Sequence, residues 1–163
     1  MGPIETTTPM FVPEHPHIGL ATATALFEGE ILHRDSLGSE QVIRPGELNL
    51  MTAGEWITHL EQGLTRSVHG LQFWIALPKT HEIMKPQFRH LDHTSVPKWE
   101  RDRLSIQLLM GSLEARQSKA EFPSRSLFAT IRSDRSNESS HSFVDFSFVD
   151  FSIAEKELGL YVA

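Results

Sequence analysis

Two pairs of side chains, each spaced by one residue, constrain what this chain can fold into more than any other feature. The first pair is His15 and His17, and the second is His59 and Glu61. Side chains two residues apart in an extended strand point to the same face. Two neighbouring strands that each carry such a pair bring three imidazoles and one carboxylate to one point. That donor set predicts a site for iron or another first-row divalent metal inside a β-structure.

The pattern of short strands and turns around these pairs predicts an all-β fold. Residues 20–27 alternate with a period of two, and Pro45-Gly46 is a strong turn dipeptide. Further strands are predicted over residues 31–34, 41–44, 48–52, 56–61, 71–77, 103–110 and 126–133. Short strands separated by turns every few residues are typical of a small antiparallel barrel or sandwich. We therefore expect an antiparallel β-barrel.

Three stretches do not fit the repeated strand pattern. Residues 79–100 mix proline, histidine and charge, so we expect a long connection lying over the barrel. Residues 112–119 are the only stretch in which we expect one or two turns of helix. The segment Phe143–Ser147 is repeated at once as Phe148–Ser152, and a five-residue offset places the second copy on the opposite face of a strand. We interpret this repeat as a bulge, a loop or a local duplication that the fold tolerates.

The charge of the chain and the residues that it lacks disfavour several classes of function. The formal net charge is −6 and the pI is about 5.8, so there is no general field for nucleic acid or anionic lipid. With no cysteine, thiolate metal sites are excluded, and the nine histidines and the carboxylates must supply any ligands. No apolar run approaches the ~20 residues of a membrane helix, and the N-terminus lacks the build of a signal peptide. We expect a cytoplasmic location and leave a nuclear one open.

Several short blocks between Phe11 and Pro78 occur in an order that resembles the N-terminal cupin barrel of the pirin family. These blocks are Glu14-His15-Pro16-His17, Phe27-Glu28-Gly29, His33-Arg34-Asp35-Ser36-Leu37-Gly38, Pro45-Gly46-Glu47, Met51-Thr52-Ala53-Gly54, His59-Leu60-Glu61 and Gly70-Leu71-Gln72-Phe73-Trp74. The resemblance implies a cupin-type antiparallel β-barrel, a small jelly-roll-like fold. We expect a loose lead-in over residues 1–10 and the barrel with a connecting segment over 11–110. Residues 111–163 are expected to begin a second barrel or to form edge strands.

The resemblance also implies a chemistry. It implies one metal, most often iron, held by His15, His17, His59 and Glu61; we expect Fe(II), with Mn, Ni, Co, Cu or Zn as alternatives. Some pirins are quercetin 2,3-dioxygenases, which implies a metal-dependent oxygenase for a flavonol-like substrate, with Glu61 taking the substrate's hydroxyl proton. Other pirins are transcription cofactors, which implies a non-catalytic metal-binding module with a protein partner. A third alternative is a barrel that folds and does neither. Pirin barrels pack against one another, so a homodimer is expected, with no direct contact to nucleic acid or membrane.

Three departures from pirins bear on the site. Residues 54–56 read Gly-Glu-Trp where pirins commonly carry Gly-Arg-Gly, which places a carboxylate and an indole near the ligands. Ala21 stands where many cupins carry a glutamate ligand, so Glu61 is the only carboxylate ligand that we expect. The chain is also too short for two complete barrels. Met51 and Trp56 lie on segments that flank the ligands and are predicted to line the pocket.

The remaining aromatic and histidine residues of the matched region are given structural roles. Phe27, Phe73 and Trp74 are predicted to belong to the barrel core rather than to a substrate cage, because most aromatic side chains are buried. His33 belongs to neither the His-x-His pair nor the His-x-Glu pair of the predicted ligands. We therefore predict that it is structural, and a position behind the ligands is left open.

Overall fold

A computed structural model describes residues 4–5, 9–101 and 104–133 of the chain, and these residues form antiparallel strands without a helix. The strands are β1 (Ile4–Glu5), β2 (Phe11–His17), β3 (Leu20–Glu28), β4 (Ile31–Asp35), β5 (Glu40–Ile43), β6 (Leu48–Thr52), β7 (Ile57–Gly63), β8 (Ser67–Ala76), β9 (Gln87–Leu91), β10 (Lys98–Arg101), β11 (Leu104–Met110), β12 (Ser112–Leu113), β13 (Arg116–Gln117) and β14 (Phe128–Ser133). Two compact units meet in sequence between Val96 and Pro97. The all-β prediction is confirmed.

The first unit contains two antiparallel sheets. Their strand orders are β2-β7-β4-β5 and β1-β8-β3-β6-β9. One apolar cluster of this unit consists of Leu26, Ile31, Ile43 and Val68, with Met10 packed against it. Burial along β7 alternates between buried and half-buried residues, as the period of two requires when one face of a strand lies against the core.

The register of three neighbouring strands arranges the polar side chains of the four-stranded sheet in two rows. His15 of β2 lies opposite His59 of β7, and His59 lies opposite Asp35 of β4. In the next row, Glu61 of β7 lies opposite His33 of β4. Directly opposed Cβ atoms are about 4.5–5.5 Å apart, and diagonal neighbours remain within reach of long side chains. The pairing of β2, β7 and β4 therefore gathers imidazoles and carboxylates on one face.

A β-bulge in β2 sets which residues of that strand face the interior. Val12 pairs with Glu61 and His15 pairs with His59, so two residues of β2 oppose one residue of β7 between these points. Met10 and His15 differ by an odd number of positions and would point to opposite faces of an unbroken strand. The bulge lets Met10 pack on the apolar cluster while His15 lies beside His59.

Two expectations about secondary structure are wrong. The stretch over residues 79–100 contains β9, which pairs with β6, so that Phe88 lies opposite Met51 in the sheet. Pairing with this distant strand, rather than a local pattern, places Leu91 in the interior and packs Phe88 against Met51. The stretch over residues 112–119 forms the hairpin of β12 and β13 instead of helix. Glu114 adopts a φ of 53° in that turn, a left-handed conformation that interrupts any right-handed helix.

The second unit has a sheet of its own with strand order β10-β11-β14. Ile106, Leu108 and Leu113 form its buried centre. Arg116 lies with its guanidinium carbon 4.4 Å from the ring centre of Trp99, a cation–π contact. The repeat over Phe143–Ser152 lies outside the described residues. The described residues contain no helix long and apolar enough to cross a membrane.

Candidate metal centre

Three histidine side chains converge through the same ring atom. The Nε2 atom of His59 lies 3.0 Å from Nε2 of His17 and 3.1 Å from Nε2 of His15. His17 and His59 are buried, and His15 is half-buried at the edge of the group. Strand β2 supplies two of these rings at the i, i+2 spacing and β7 supplies the third, as the sequence predicts. The structure therefore brings the three predicted histidines together at one point.

The hydrogen bonds of the cluster show which nitrogens carry lone pairs. Nδ1 of His15 lies 2.8 Å from the carbonyl oxygen of Pro13, and a carbonyl only accepts, so this nitrogen carries the proton. In the neutral form of His15, Nε2 then has the lone pair, and this nitrogen faces the other two rings. Lone pairs about 3 Å apart repel each other unless a proton or a cation lies between them. Nitrogen atoms at this separation fit a divalent metal with N ligands at ~2.0–2.1 Å.

Burial and mutual repulsion favour the neutral forms of His17 and His59. Burial, followed by the repulsion of His33, His15 and His17, lowers the pKa of His59 from 6.5 to about 3. Burial and the charge of His15 also lower the pKa of His17. Neutral imidazoles are the form that binds metals. At neutral pH His17 and His59 are therefore in the form that binds a cation.

The opposite edge of the His59 ring faces a second group. Nδ1 of His59 lies 3.4 Å from Nδ1 of His33 and 3.9 Å from Oε1 of Glu61. The ligand atoms of these three buried residues all lie within 4.8 Å of one another. The structure thus places Glu61, the fourth predicted ligand, on the Nδ1 side of His59 and the other two histidines on its Nε2 side.

Glu61 is held in a buried polar contact. Nε2 of Gln72 donates a hydrogen bond of 2.7 Å to Oε1 of Glu61 and lies 3.0 Å from Oγ1 of Thr24. Burial raises the pKa of Glu61, while the bond from Gln72 and the charge of His15 act in the other direction. A cavity of about 20 Å³ lies beside these residues, with Glu61, Gln72 and Thr24 in its wall together with apolar side chains. A carboxylate that holds its proton more tightly is a stronger base when ionised.

The residues predicted to surround the ligands divide between the interior and the surface. Met51 is buried among Ala53, Ile57 and Phe88, and Trp56 is 51% exposed; neither lies in the wall of the cavity beside Glu61. The assignment of Trp74 to the core is wrong, because this side chain is 64% exposed.

Trp74 nevertheless contacts the histidine cluster. Its ring centre lies 5.0 Å from that of His17 in an edge-to-face arrangement. Its indole nitrogen lies 3.4 Å from Oε1 of Gln72. Strand β8 therefore places an exposed aromatic ring beside one predicted ligand and an amide beside another.

Sequence reasoning undervalued His33. Its ring is buried, contacts His59 and stacks on Phe88 with ring centres 4.4 Å apart. The signal that identifies it is Asp35, a carboxylate at the same i, i+2 spacing as the ligand pairs. Oδ2 of Asp35 lies 3.2 Å from Nε2 of His33. A carboxylate two residues from a histidine on a strand next to a ligand strand is a pattern worth searching for.

Known proteins are similar in sequence to a large part of this chain. The sequence model of the Pirin family matches residues 3–75. A pirin-like protein of Caulobacter vibrioides is 47% identical over an alignment of 115 residues that covers 67% of this chain and 39% of that protein. A pirin-like protein of Arabidopsis thaliana is 35% identical over an alignment of 119 residues that covers 69% of this chain and 38% of that protein.

A solved structure is similar over the same region. The crystal structure of quercetin 2,3-dioxygenase from Acinetobacter baumannii matches with a TM-score of 0.66 at 40% identity, covering 72% of this chain and 41% of that one. The match confirms the cupin-type fold. This chain spans about two fifths of the length of the curated relatives that it matches.

Proposed function

Because this chain belongs to the pirin family through residues 3–75, we propose that it is a metal-binding pirin-like cupin protein with quercetin 2,3-dioxygenase-type activity. The observation that carries the proposal is the convergence of the Nε2 atoms of His15, His17 and His59. The solved structure that is 40% identical to the chain is described as a quercetin 2,3-dioxygenase, which supports a flavonol as the substrate class.

The proposed metal is one divalent ion, with Fe(II) expected first. His15, His17 and His59 would hold it through neutral nitrogens, and imidazole suits iron, copper, nickel and zinc alike. Glu61 is proposed as the fourth ligand. Its carboxylate is anchored by Gln72 on the far side of the His59 ring, and its side chain has rotatable bonds that can redirect it. A mixed nitrogen and oxygen donor set favours Fe(II) over soft metals.

The chain's own residues would handle the proton and the substrate. When bound, the metal acts as a Lewis acid toward a substrate oxygen. Glu61 would accept the proton of a flavonol hydroxyl, since burial raises the pKa of this carboxyl group. Gln72 would hold one oxygen of the carboxylate, Oε1, through the bond that it donates, which leaves Oε2 to the metal or to the substrate proton. Trp74, exposed beside His17, would stack on a planar aromatic substrate at the exposed side of the histidine cluster.

A non-catalytic metal-binding module is the second candidate, and exposed apolar side chains favour it. Ile18, Trp56 and Ile83 are 69%, 51% and 82% exposed. Backbone bonds join their segments, because Gly19 donates to Gly54 and Glu55 donates to Met84. A rim of exposed apolar residues is typical of a surface that contacts another protein. We propose that this rim serves a protein partner or a homodimer, in the cytoplasm, whether or not the centre is catalytic.

Metal analysis and a flavonol assay test the two candidates together. We expect the purified chain to carry or to take up about one Fe(II) and, in that form, to consume quercetin under air. The metal-free protein is the matched control and is expected to leave quercetin unchanged. Metal uptake without consumption of quercetin would favour the binding module, and failure to take up any divalent metal would contradict both.

A further inference from the structure

We propose that Asp35 and His33 are positioning residues that fix the proton of His59 on Nδ1, so that its Nε2 lone pair points at the metal. The inference rests on the proposed metal centre for its purpose. It concerns the metal-free chain for its structure. Neither residue is a predicted metal ligand. Both lie on β4, next to β7.

The hydrogen bonds assign the protons step by step from Asp35. Oδ1 of Asp35 accepts the backbone N–H groups of Leu37 and Ser39 at 2.9 and 3.0 Å. Oδ2 is left to face Nε2 of His33 at 3.2 Å. An ionised carboxylate only accepts, so Nε2 of His33 carries the proton. The other nitrogen of a neutral His33, Nδ1, therefore has a lone pair.

That lone pair decides the tautomer of His59. Nδ1 of His33 lies 3.4 Å from Nδ1 of His59, and two lone pairs at this distance repel. A proton on Nδ1 of His59 removes the repulsion and completes a hydrogen bond. Oε1 of Glu61, 3.9 Å from the same nitrogen, is a second electron-rich atom that favours a proton there. Nε2 of His59 is then unprotonated. In the metal-free chain it can accept a hydrogen bond from Nε2 of His17, 3.0 Å away, so the closer contact on this side of the ring is compatible with the assignment.

Such a chain has a physical benefit for metal binding. A histidine with its proton on the ligating nitrogen must change tautomer before it binds, whereas a fixed tautomer is ready. Outer partners that orient a ligating histidine are commonly worth about 10–100-fold in metal affinity. The stacking of His33 on Phe88, at an interplanar angle of 13°, holds the ring plane from which the bond to His59 is made.

The same geometry admits a competing explanation, in which His33, His59 and Glu61 hold a second metal ion. His59 would then lose both ring protons and bridge two ions. The two explanations differ in the state of one atom. Nδ1 of His59 carries a proton in the hydrogen-bond series that we propose and is a metal ligand in the alternative.

Ring nitrogen NMR of the metal-free wild-type protein tests the assignment directly. Nitrogen-15 shifts separate N–H nitrogens from unprotonated ones in each histidine. We expect protons on Nε2 of His33 and on Nδ1 of His59, with Nε2 of His59 unprotonated. A proton on Nε2 of His59, or an unprotonated Nε2 on His33, would overturn the proposal without any variant being made.

Asp35→Asn provides the sharpest variant. It should reverse the direction of the hydrogen bonds from residue 35 through His33 to His59 while keeping the turn that follows β4. The amide oxygen can still accept from Leu37 and Ser39, which leaves the NH₂ group facing His33. Nε2 of His33 must then accept, its proton moves to Nδ1, and the proton of His59 moves to Nε2. We expect the reversed pattern in the NMR spectrum and a loss of Ni(II) affinity of about 10–100-fold in chelator competition.

Two further variants separate positioning from structure. His33→Phe keeps a ring to stack on Phe88 and removes both nitrogens, and should weaken Ni(II) binding in the same range even if Asp35→Asn fails to fold. Glu40→Gln is the matched control, since it removes an exposed carboxylate that pairs with Arg34 next to His33. It should change neither the histidine tautomers nor the affinity.

The outcomes distinguish this inference from the proposed function. Wild-type protein that shows the expected tautomers but binds no Ni(II) would contradict the metal centre and leave the proton assignment standing. Wild-type protein that binds one Ni(II), while Asp35→Asn and His33→Phe bind it equally well, would overturn the positioning role. Binding of two Ni(II) ions per chain with both nitrogens of His59 coordinated would overturn it in favour of the second ion.

Discussion

The two edges of the His59 ring lie in different surroundings. On the Nε2 edge, His15 and His17 come from one strand, and His15 is only half-buried. On the Nδ1 edge, His33 and Glu61 are buried and are held by further hydrogen bonds. The Nε2 edge presents ring nitrogens to a proposed metal, and the groups at the Nδ1 edge are hydrogen-bonded within the protein. The difference shows how a sheet can make one imidazole a ligand on one side and a supported group on the other.

Removing His59 should have the largest effect, because it abolishes both edges at once. His59→Ala deletes the ring shared by the two groups, so Ni(II) or Fe(II) binding should fall by more than the ~10–100-fold typical of an outer partner, and turnover should be lost. Calorimetric titration with Ni(II) and elemental analysis would measure it. His90→Ala is the control, since His90 pairs with Asn49 away from this ring. Metal binding that survives His59→Ala would remove the ring from the centre.

Changing Glu61 tests the Nδ1 edge with the Nε2 edge intact. Glu61→Gln keeps the size of the side chain and removes its basicity, so a dioxygenase should keep part of its metal and lose about 10²–10⁴-fold in turnover. Quercetin consumption and metal content would be followed on the same samples. Glu47→Gln, at a buried carboxylate that accepts from the backbone of Arg44, serves as the control. Full turnover in Glu61→Gln would contradict the proposed base.

Acid should unfold the metal-free protein by charging both edges. The pKa of His59 is about 3 in the folded chain, against an ordinary 6.5, so between these values the unfolded chain binds a proton that the folded chain excludes. Stability should therefore fall as pH drops from about 6.5 toward 3. The lowered pKa values of His17 and His33 act in the same direction, and the raised pKa of Glu61 opposes them.

Melting temperatures from pH 7 to pH 4, with and without Ni(II), would measure this dependence. Ni(II) should stabilise the protein most at pH 7 and progressively less in acid, because protons compete for the same lone pairs. The variant His59→Ala should show a weaker dependence on pH. A melting temperature that stays constant over this range would contradict the burial of neutral imidazoles.

The smallest effect is expected from changing Trp74, the exposed ring beside His17. Trp74→Ala removes the edge-to-face contact with His17 and should cost about 0.5–1.5 kcal/mol of unfolding free energy at most, since the ring is largely exposed. Denaturant unfolding would measure it, with Trp56→Ala as a comparison at another exposed indole. If Trp74 stacks on the substrate, KM for quercetin should rise more than kcat falls. An unchanged KM would contradict a contact between Trp74 and the substrate.

The local parts of this arrangement can be read from the sequence. Alternation over Leu20–Glu28 and the strong turn at Pro45-Gly46 predict strands and turns, because both depend on residues close together in the chain. The spacing within each histidine pair predicts a shared face for the same reason. That the pairs then meet is a non-local fact, which the resemblance to pirins supplied and the register of β2 with β7 now explains.

Features that depend on distant partners were missed. β9 is short and charged, and only its pairing with β6 makes Phe88 part of the interior. Tryptophan is a residue type that is usually buried, but the position of Trp74 on β8 leaves this side chain 64% exposed. The role of His33 depends on a register between β4 and β7 that places it diagonally beside His59. The local pattern of His33 and Asp35 marks the residue, but it does not contain the register that brings it to His59.

The bulge in β2 makes the length of the segment before His15 matter more than its composition. Pro13 and Glu14 are exposed, so many other residues would be accepted at these two positions. Losing or gaining one residue there would reverse the inward and outward faces of the strand on one side of the change. A lineage could then keep Met10 in the apolar cluster or the two histidines in the centre, but not both. Insertions and deletions, rather than substitutions, are the changes that evolution is least free to make here.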